Sequence, residues 1–231
     1  MGDVMVDVLV EVRSALAHAS DTPSRIATAP GGSAANLAVW LSRSGARVLL
    51  AASVGRDPFG QASLRALARE GVDTSGVVSV DRSTGIVVAL VEPDGQRSML
   101  TDRGANLWLS QASVEAALGS LERGGHVHVS GYALLDDASR PTGLHALACA
   151  REAGATRSAD ASSAGPLEAV GPRRFLEWVG GVGSLFCNLD EARLLSGQRD
   201  ARSAASTLAA TVGEAVVTDG ARGSVVARGS E

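Results

Sequence analysis

Apolar residues along this chain follow two spacings, one typical of strands and the other typical of helices. Residues 4–12 are rich in valine and carry acidic residues at even intervals, which predicts a strand with its carboxylates on one face. Residues 34–42 carry apolar side chains three and four positions apart, which predicts a helix. The run 48–52 predicts a short buried strand, and Asp57, a good N-cap followed by proline, predicts a second helix over 59–70.

The next segments predict a small β structure. Short strands are expected at 77–80, 85–91 and 97–101, with a turn over residues 93–95. Together with β-rich segments near residues 10–30, these strands do not follow a helix-and-strand alternation. We therefore expect a small β excursion that stands off the main domain.

From about residue 110, helices and strands alternate. Helices are predicted at 111–121, 138–151, 173–179, 191–195 and 201–211, and strands at 126–129, 157–159, 184–187 and 214–218. Strands separated by helices of this length imply βαβ units and a mainly parallel sheet. The fold class is therefore expected to be α/β.

Composition and charge exclude several function classes. The chain has 231 residues and a formal net charge of −4, without the clustered positive charge that nucleic acids require. All 21 basic residues are arginine, which excludes a phosphate-loop or Schiff-base lysine. No targeting signal or membrane-spanning run is expected from residues 1–231, and Cys149 and Cys187 lie in contexts that predict buried, reduced thiols. We expect a cytoplasmic protein without a membrane or nucleic-acid partner.

A pair of glycines opens the first predicted helix. Gly31 and Gly32 let the backbone approach a ligand, and the helix N-terminus offers free N–H donors. Asn36, one turn into the helix, can both donate and accept hydrogen bonds, which suits a polyol. A glycine turn with a buried, satisfied asparagine explains the same pattern.

Two further motifs follow predicted strands. Asn188 and Glu191 lie at a strand-to-helix junction, where a carboxylate suits Mg²⁺ and where the same spacing equally forms a capping box. Thr218, Gly220 and Gly223 form a glycine turn between two strands, which suits either the approach of a nucleotide or an ordinary hairpin.

The histidines give a weaker signal. His126 and His128 point to one face of a predicted strand without a third ligand at a metal-binding spacing, so core or interface positions are expected. His18 and His145 align with no other candidate residue.

In this order and spacing, the motifs resemble the ribokinase/PfkB family of carbohydrate kinases over most of the chain. The run from Gly2 to Asp7 resembles the family's opening strand, whose last aspartate binds sugar hydroxyls. The stretch from Gly31 to Gly60 resembles its long N-terminal signature. Further similar segments lie at 84–85, 103–106, 128–132, 188–191 and 218–223.

The resemblance implies a ribokinase-like three-layer α/β/α domain over residues 1–231, with a small β-sheet lid formed by about 10–30 and 77–103. It also implies transfer of the γ-phosphoryl group of ATP to a sugar hydroxyl, with Mg²⁺ as cofactor. The implied substrate-binding residues are Asp7, Gly31, Gly32, Asn36 and Arg103, the nucleotide-binding residues Asn188, Thr218, Gly220 and Gly223, and the metal residue Glu191.

One family signature is expected but is not found within residues 1–231. A G-A-G-D-like turn, whose aspartate is the general base, is expected downstream of Glu231. The opening strand is likewise expected to begin before Gly2. The expectation is a domain incomplete at its C-terminus, with no catalytic base within the chain and little activity of its own.

Two alternatives stay open: a non-catalytic sugar- or nucleoside-binding remnant of such a kinase, and a generic Rossmann-like nucleotide-binding protein. The residues do not name the sugar. Arg103 could meet an anionic substrate group, or it could pair with Asp102 or another carboxylate. A lid with an exposed apolar face could also form a homodimer.

Overall fold

The computed structural model describes residues 1–92 and 94–229, so Pro93, within the predicted turn, lies outside the described residues. The chain divides into two compact units. The first unit comprises Asp3–Leu109, and the second comprises Met1–Gly2 with the residues from Ser110 onward.

The first unit combines strands with two α-helices of eleven and twelve residues. Its elements are β1 (Met5–Val12), β2 (Ser24–Gly31), α1 (Ser33–Arg43), β3 (Ala52–Gly55), α2 (Pro58–Arg69), β4 (Val77–Val80), β5 (Gly85–Val91), β6 (Arg97–Asp102) and a 3₁₀ helix (Gly104–Trp108). Four strands form a sheet in the order β2-β1-β5-β6, in which β1 and β5 are parallel and the outer pairs are antiparallel. Strands β3 and β4 pair in parallel.

The core of the first unit joins its two helices to strand β3. Its buried side chains are Val4, Ala34, Ala35, Ala38, Leu50, Ala52, Val54, Leu67 and Val72. The alanines of α1 recur at helical spacing, so one smooth face of this helix can lie close to its neighbours. In contrast, β6 is exposed along its whole length.

The second unit alternates helices with strands. Its elements are α3 (Gln111–Leu118), β7 (His126–Val129), α4 (Tyr132–Leu135), α5 (Arg140–Glu152), β8 (Thr156–Asp160), α6 (Ala164–Val170), α7 (Pro172–Val179), β9 (Ser184–Asn188), α8 (Leu189–Ser196), α9 (Ala201–Val212), β10 (Glu214–Thr218), a 3₁₀ helix (Gly220–Arg222) and β11 (Ser224–Arg228). The sheet order is β11-β10-β9-β8-β7, with β7 to β10 parallel and β11 antiparallel to β10. The predicted parallel βαβ organisation of this half is therefore confirmed.

Some predicted bounds differ from the structure. The strand predicted at 48–52 is displaced, since Leu49 makes only an isolated bridge to Asp73 and β3 begins at Ala52. The sequence pattern does not predict α4 and α6, because four and seven residues carry too little periodicity to identify a helix. The predicted bounds of β5 and β10 are confirmed.

Of the core or interface positions expected for the histidines, a core position is wrong for His126. Its side chain is exposed, and its ring nitrogens lie 2.8 Å from Thr156 Oγ1 and 2.7 Å from Ser158 Oγ. The ring of His128 lies 2.8 Å from Ser158 Oγ and 3.1 Å from Asp160 Oδ2. Polar side chains of β8 therefore hold both rings.

Both cysteines are free thiols, as expected. Cys187 is buried on β9, whereas Cys149 is only half-buried on α5. In the part of the chain that the structure describes, no helix has the length and apolar character needed to cross a membrane.

Candidate functional site

Asp7 lies within β1, and its carboxylate is held directly against Gly31 of β2. A Cβ atom added to Gly31 would be 2.3 Å from Asp7 Oδ1, so any larger residue at position 31 would have to displace this carboxylate. Asp7 is half-buried, and desolvation raises the pKa of its carboxyl above the usual value. None of the described residues donates a hydrogen bond to this side chain. The carboxylate is therefore an acceptor open to a ligand.

The N-terminus of α1 follows directly. Gly32 has φ 102°, and a Cβ atom there would be 2.4 Å from the carbonyl oxygen of Asp3, so this position requires glycine. The backbone N–H of Asn36 donates to the carbonyl oxygen of Gly32 at 2.9 Å, and the Asn36 side chain is exposed. The alternative with a buried, satisfied asparagine is therefore not observed.

Gly31 and Asn36 also border a cleft of about 190 Å³ between α1 and α2. Its other polar side chains are Ser63 and Glu70. Asp7 does not line this cleft, so the cleft gathers only part of the predicted sugar-binding set.

Arg103 is engaged by a buried carboxylate. Its Nε donates to Asp3 Oδ2 at 3.0 Å and its Nη2 donates to Asp3 Oδ1 at 2.7 Å. The two side chains are only 12% and 7% exposed. This bidentate pair ties the residue before the 3₁₀ helix to the start of β1, across 100 positions of sequence. The sequence left Arg103 with either an anionic substrate group or a carboxylate of the chain as its partner. The structure pairs it with a carboxylate, which belongs to Asp3 and not to Asp102.

Asp57 has a different environment from that of Asp7. It caps α2 by accepting from the Gly60 N–H at 2.8 Å, and it accepts from both the N–H and the hydroxyl of Thr84 at 2.7 Å. The Thr84 hydroxyl in turn accepts from the Gly55 N–H at 3.0 Å. Burial acts to raise the pKa of the Asp57 carboxyl, but these donated bonds outweigh burial and lower it. The predicted N-cap is thus confirmed, and it also ties α2 to the start of β5.

Asn106 is a residue whose role sequence reasoning missed. Its side chain is buried and pairs with the backbone of Val4, accepting at 2.8 Å and donating at 3.0 Å. It also donates to the carbonyl oxygen of Arg103 at 2.9 Å. The asparagine therefore holds the start of β1 as a neighbouring strand would. Its position at the end of the 103–106 motif is the available sequence signal.

In the second unit, Asn188 and Glu191 form a capping box. Asn188 Oδ1 accepts from the Glu191 N–H at 2.9 Å, and Glu191 accepts from the Asn188 backbone N–H at 2.9 Å and from its side-chain amide at 2.8 Å. Glu191 is buried. Burial raises the pKa of its carboxyl, the Asn188 backbone bond opposes this change, and nearby Asp160 raises the pKa further.

This arrangement fits a hydrated magnesium ion. Mg²⁺ prefers oxygen ligands, keeps several waters and usually takes only one or two protein carboxylates. The carboxylates of Glu191 and Asp160 are close enough to repel each other electrostatically, and a cation would relieve that repulsion. The capping box fixes Glu191 without using all of its acceptor capacity. The capping box and a magnesium site, the two alternatives for this motif, are therefore compatible with each other.

Thr218 lies beside Asn188 at the carboxyl ends of two parallel strands, where the two residues are paired in register. After it come a short 3₁₀ helix and β11, which forms the predicted hairpin with β10. Gly220 and Gly223 have φ of 54° and 91°, and open space surrounds both, since an added Cβ would meet nothing within 4 Å. Ligands of α/β proteins bind at the carboxyl ends of parallel strands, so this edge can receive a nucleotide.

Comparison with known proteins agrees with this geometry. The profile of the pfkB family of carbohydrate kinases matches residues 1–231. The chain belongs to this family. It is 32% identical over 163 residues to a fructokinase of Salmonella typhimurium, covering 69% of this chain and 48% of that one. It is 29% identical over 162 residues to fructokinase-1 of Oryza sativa subsp. japonica, covering 69% and 49%. The chain spans about half the length of these curated relatives.

Three solved kinase structures share the fold. Adenosine kinase from Sinorhizobium meliloti superposes with a TM-score of 0.84 at 25% identity, covering 100% of this chain and 76% of that one. Fructokinase from Vibrio cholerae O395, in a form with fructose, ADP and calcium ion bound, gives 0.77 at 26% identity, covering 98% and 71%. Ribokinase from Thermotoga maritima gives 0.77 at 18% identity, covering 100% and 74%. The expected ribokinase-like α/β fold is confirmed.

Proposed function

We propose that this pfkB-family chain belongs to an ATP-dependent carbohydrate kinase that transfers the γ-phosphoryl group to a sugar hydroxyl. The observation that carries the proposal is the Asp7 carboxylate, half-buried against Gly31 and without a donor among the described residues. A desolvated acceptor gains more from a hydroxyl donor than an exposed one does.

On the sugar side, Asp7 accepts from substrate hydroxyls and Asn36 donates and accepts. Gly31 and Gly32 let the sugar approach the backbone. Arg103 contributes indirectly, by holding Asp3 and the start of β1. Because its guanidinium already pairs with a carboxylate, a neutral sugar suits this site better than an anionic one.

On the nucleotide side, Asn188, Thr218, Gly220 and Gly223 receive the phosphates and nucleoside of ATP at the ends of β9 and β10. Glu191, fixed by the capping box, would hold the waters of Mg²⁺, and the ion would neutralise phosphate charge. The chain has no lysine, so backbone N–H groups and glycines take the place of a phosphate-loop lysine here.

A nucleoside is the second candidate acceptor. The structure that superposes with a TM-score of 0.84 is an adenosine kinase, an enzyme named for a nucleoside. A ribose presents neighbouring hydroxyls that Asp7 and Asn36 could also bind. Fructose and adenosine therefore belong in the same ligand panel.

We also propose that the sheet containing β1, β2, β5 and β6, which includes most of segments 10–30 and 77–103, is the lid. Large apolar side chains are exposed on its outer strands, among them Ile26, Met99 and Leu100. Such a surface could form a homodimer in a cytoplasmic protein. Sedimentation of Met99→Asp and of the parent chain tests this homodimer. An unchanged mass in the variant would exclude it.

The kinase proposal is tested by calorimetric titration of fructose, ribose and adenosine, followed by ADP release with Mg²⁺ and ATP. Asp7→Ala and Asn36→Ala should each weaken binding of the preferred ligand, by roughly 10- to 100-fold for the charged acceptor. Matched controls are Asp81→Ala and Gln61→Ala, which change exposed groups of the same unit. Unchanged affinity in Asp7→Ala would refute the sugar site. Robust, sugar-dependent ADP release would refute both the binding-only alternative and the expectation that residues 1–231 have little activity of their own.

A further inference from the structure

Helices α3 and α5 bring together three side chains that the kinase function does not use. They are Glu115 on α3 and His145 and Cys149 on α5, and their ligand atoms all lie within 4.8 Å of one another. His145 Nε2 lies 2.6 Å from Glu115 Oε1 and 3.4 Å from Cys149 Sγ. Across residues 1–92 and 94–229, no other group of three such side chains converges to this degree.

We propose that Glu115, His145 and Cys149 form a zinc-binding site that joins α3 to α5, with water as the fourth ligand. The three ligand types are those that Zn²⁺ takes, and a site with three protein ligands leaves one position for water. A thiolate and an imidazole together select zinc over magnesium or calcium.

The local geometry needs little adjustment. His145 and Cys149 are four residues apart, so they lie one turn apart on the same face of α5. Bond lengths of about 2.3 Å to sulfur and about 2.0 Å to nitrogen place two tetrahedral ligand atoms roughly 3.5 Å apart. The observed sulfur–nitrogen distance of 3.4 Å already matches this separation.

The glutamate must move outward, because its hydrogen bond to His145 is shorter than the separation of two zinc ligands. The Glu115 side chain is 58% exposed and the His145 side chain 27% exposed, so both can adjust and water can reach the site. The buried face of α3 is fixed by Val114, which is 1% exposed. The backbone of α3 is therefore anchored, whereas the side chains of Glu115 and His145 can reorient toward a metal ion.

The cysteine chemistry requires a proton to leave. A cysteine thiol is mostly protonated at neutral pH when no metal is bound. Binding breaks the S–H bond, forms a sulfur–zinc bond and releases the proton to solvent.

Cobalt titration of the metal-free, untagged full chain tests the site directly. We expect a thiolate-to-cobalt charge-transfer band in the near ultraviolet, tetrahedral d–d bands in the visible, and loss of both on adding zinc. Cys149→Ser should abolish the charge-transfer band, whereas Cys187→Ser should keep it. His145→Ala should lose the tetrahedral d–d intensity, and the matched control His18→Ala should keep it.

Several results would overturn the proposal. These are no bands with cobalt in excess, a charge-transfer band that survives Cys149→Ser, or an unchanged cobalt affinity in Glu115→Gln. A second measurement needs no variant: zinc should protect Cys149 of the parent chain from alkylation, as read by peptide mass spectrometry. Equal alkylation with and without zinc would mean that the three side chains make only a hydrogen-bonded contact between helices.

Discussion

The carboxylates of Asp7 and Asp57 in the first unit have opposite environments, although both lie within segments that resemble family motifs. Asp57 accepts hydrogen bonds from the Gly60 N–H, the Thr84 N–H and the Thr84 hydroxyl. Asp7 rests against Gly31 and accepts none from the described residues. The pKa of the first carboxyl is lowered because the donated bonds outweigh burial, and the pKa of the second is raised by burial.

The difference separates a structural carboxylate from a binding carboxylate. A carboxylate whose acceptors are filled by protein donors stabilises the fold and has little left for a ligand. A carboxylate that is desolvated without donors costs stability and gains it back when a ligand donates. By this criterion Asp3, paired with Arg103, belongs with Asp57.

The largest effect is expected for Arg103→Ala, which leaves the buried carboxylate of Asp3 without its partner. The free energy of unfolding should fall by about 3–5 kcal/mol. Arg25→Ala is the matched control, because Arg25 and Glu11 form an exposed pair at 3.9 Å that should contribute under about 1 kcal/mol. Urea denaturation measures both variants. Equal losses in the two would show that Arg103 is not structural and would reopen its assignment to the sugar.

A smaller loss is expected for Asp57→Ala, which removes the cap of α2 and the bonds to Thr84. Unfolding free energy should fall by roughly 2–3 kcal/mol at neutral pH, relative to the exposed control Asp81→Ala. Because the folded pKa of Asp57 is lowered, its stabilisation is present above the unfolded pKa of about 4 and is lost as the pH falls through the folded pKa. The difference in unfolding free energy between Asp57→Ala and the parent should therefore narrow in acid. A difference that widens would contradict the structural role of Asp57.

The smallest effect, and one of opposite sign, is expected for Asp7→Asn. The folded pKa of Asp7 is raised, so its charge costs stability above that pKa and costs nothing below the unfolded pKa of about 4. The unfolding free energy of Asp7→Asn should equal that of the parent or exceed it by up to about 1 kcal/mol at neutral pH. This difference should vanish in acid. Thermal melts across this pH range measure it. A clear loss of stability at pH 7 would mean that Asp7, like Asp57, has a structural partner.

The sequence by itself determined much of the local structure. Alternation of apolar runs identified the parallel βαβ organisation from α3 to β10, and the Asp57–Pro58 pair identified the start of α2. The spacing from Asn188 to Glu191 specified the capping box. The start of α2 and the capping box are local, because each depends on contacts within a few residues along the chain, and the βαβ organisation follows from the order of elements that are themselves local.

Only the tertiary structure decided which polar groups are free to act. Arg103 meets Asp3 across 100 positions, Thr84 meets Asp57 across 27, and His145 meets Glu115 across 30. Residue type and spacing give Asp3, Asp7 and Asp57 the same chemistry. Their roles differ because folding fills the acceptors of Asp3 and Asp57 with distant donors and leaves the Asp7 carboxylate beside a glycine. Such pairings depend on how strands and loops meet in space, so the local periodicity of the sequence does not predict them.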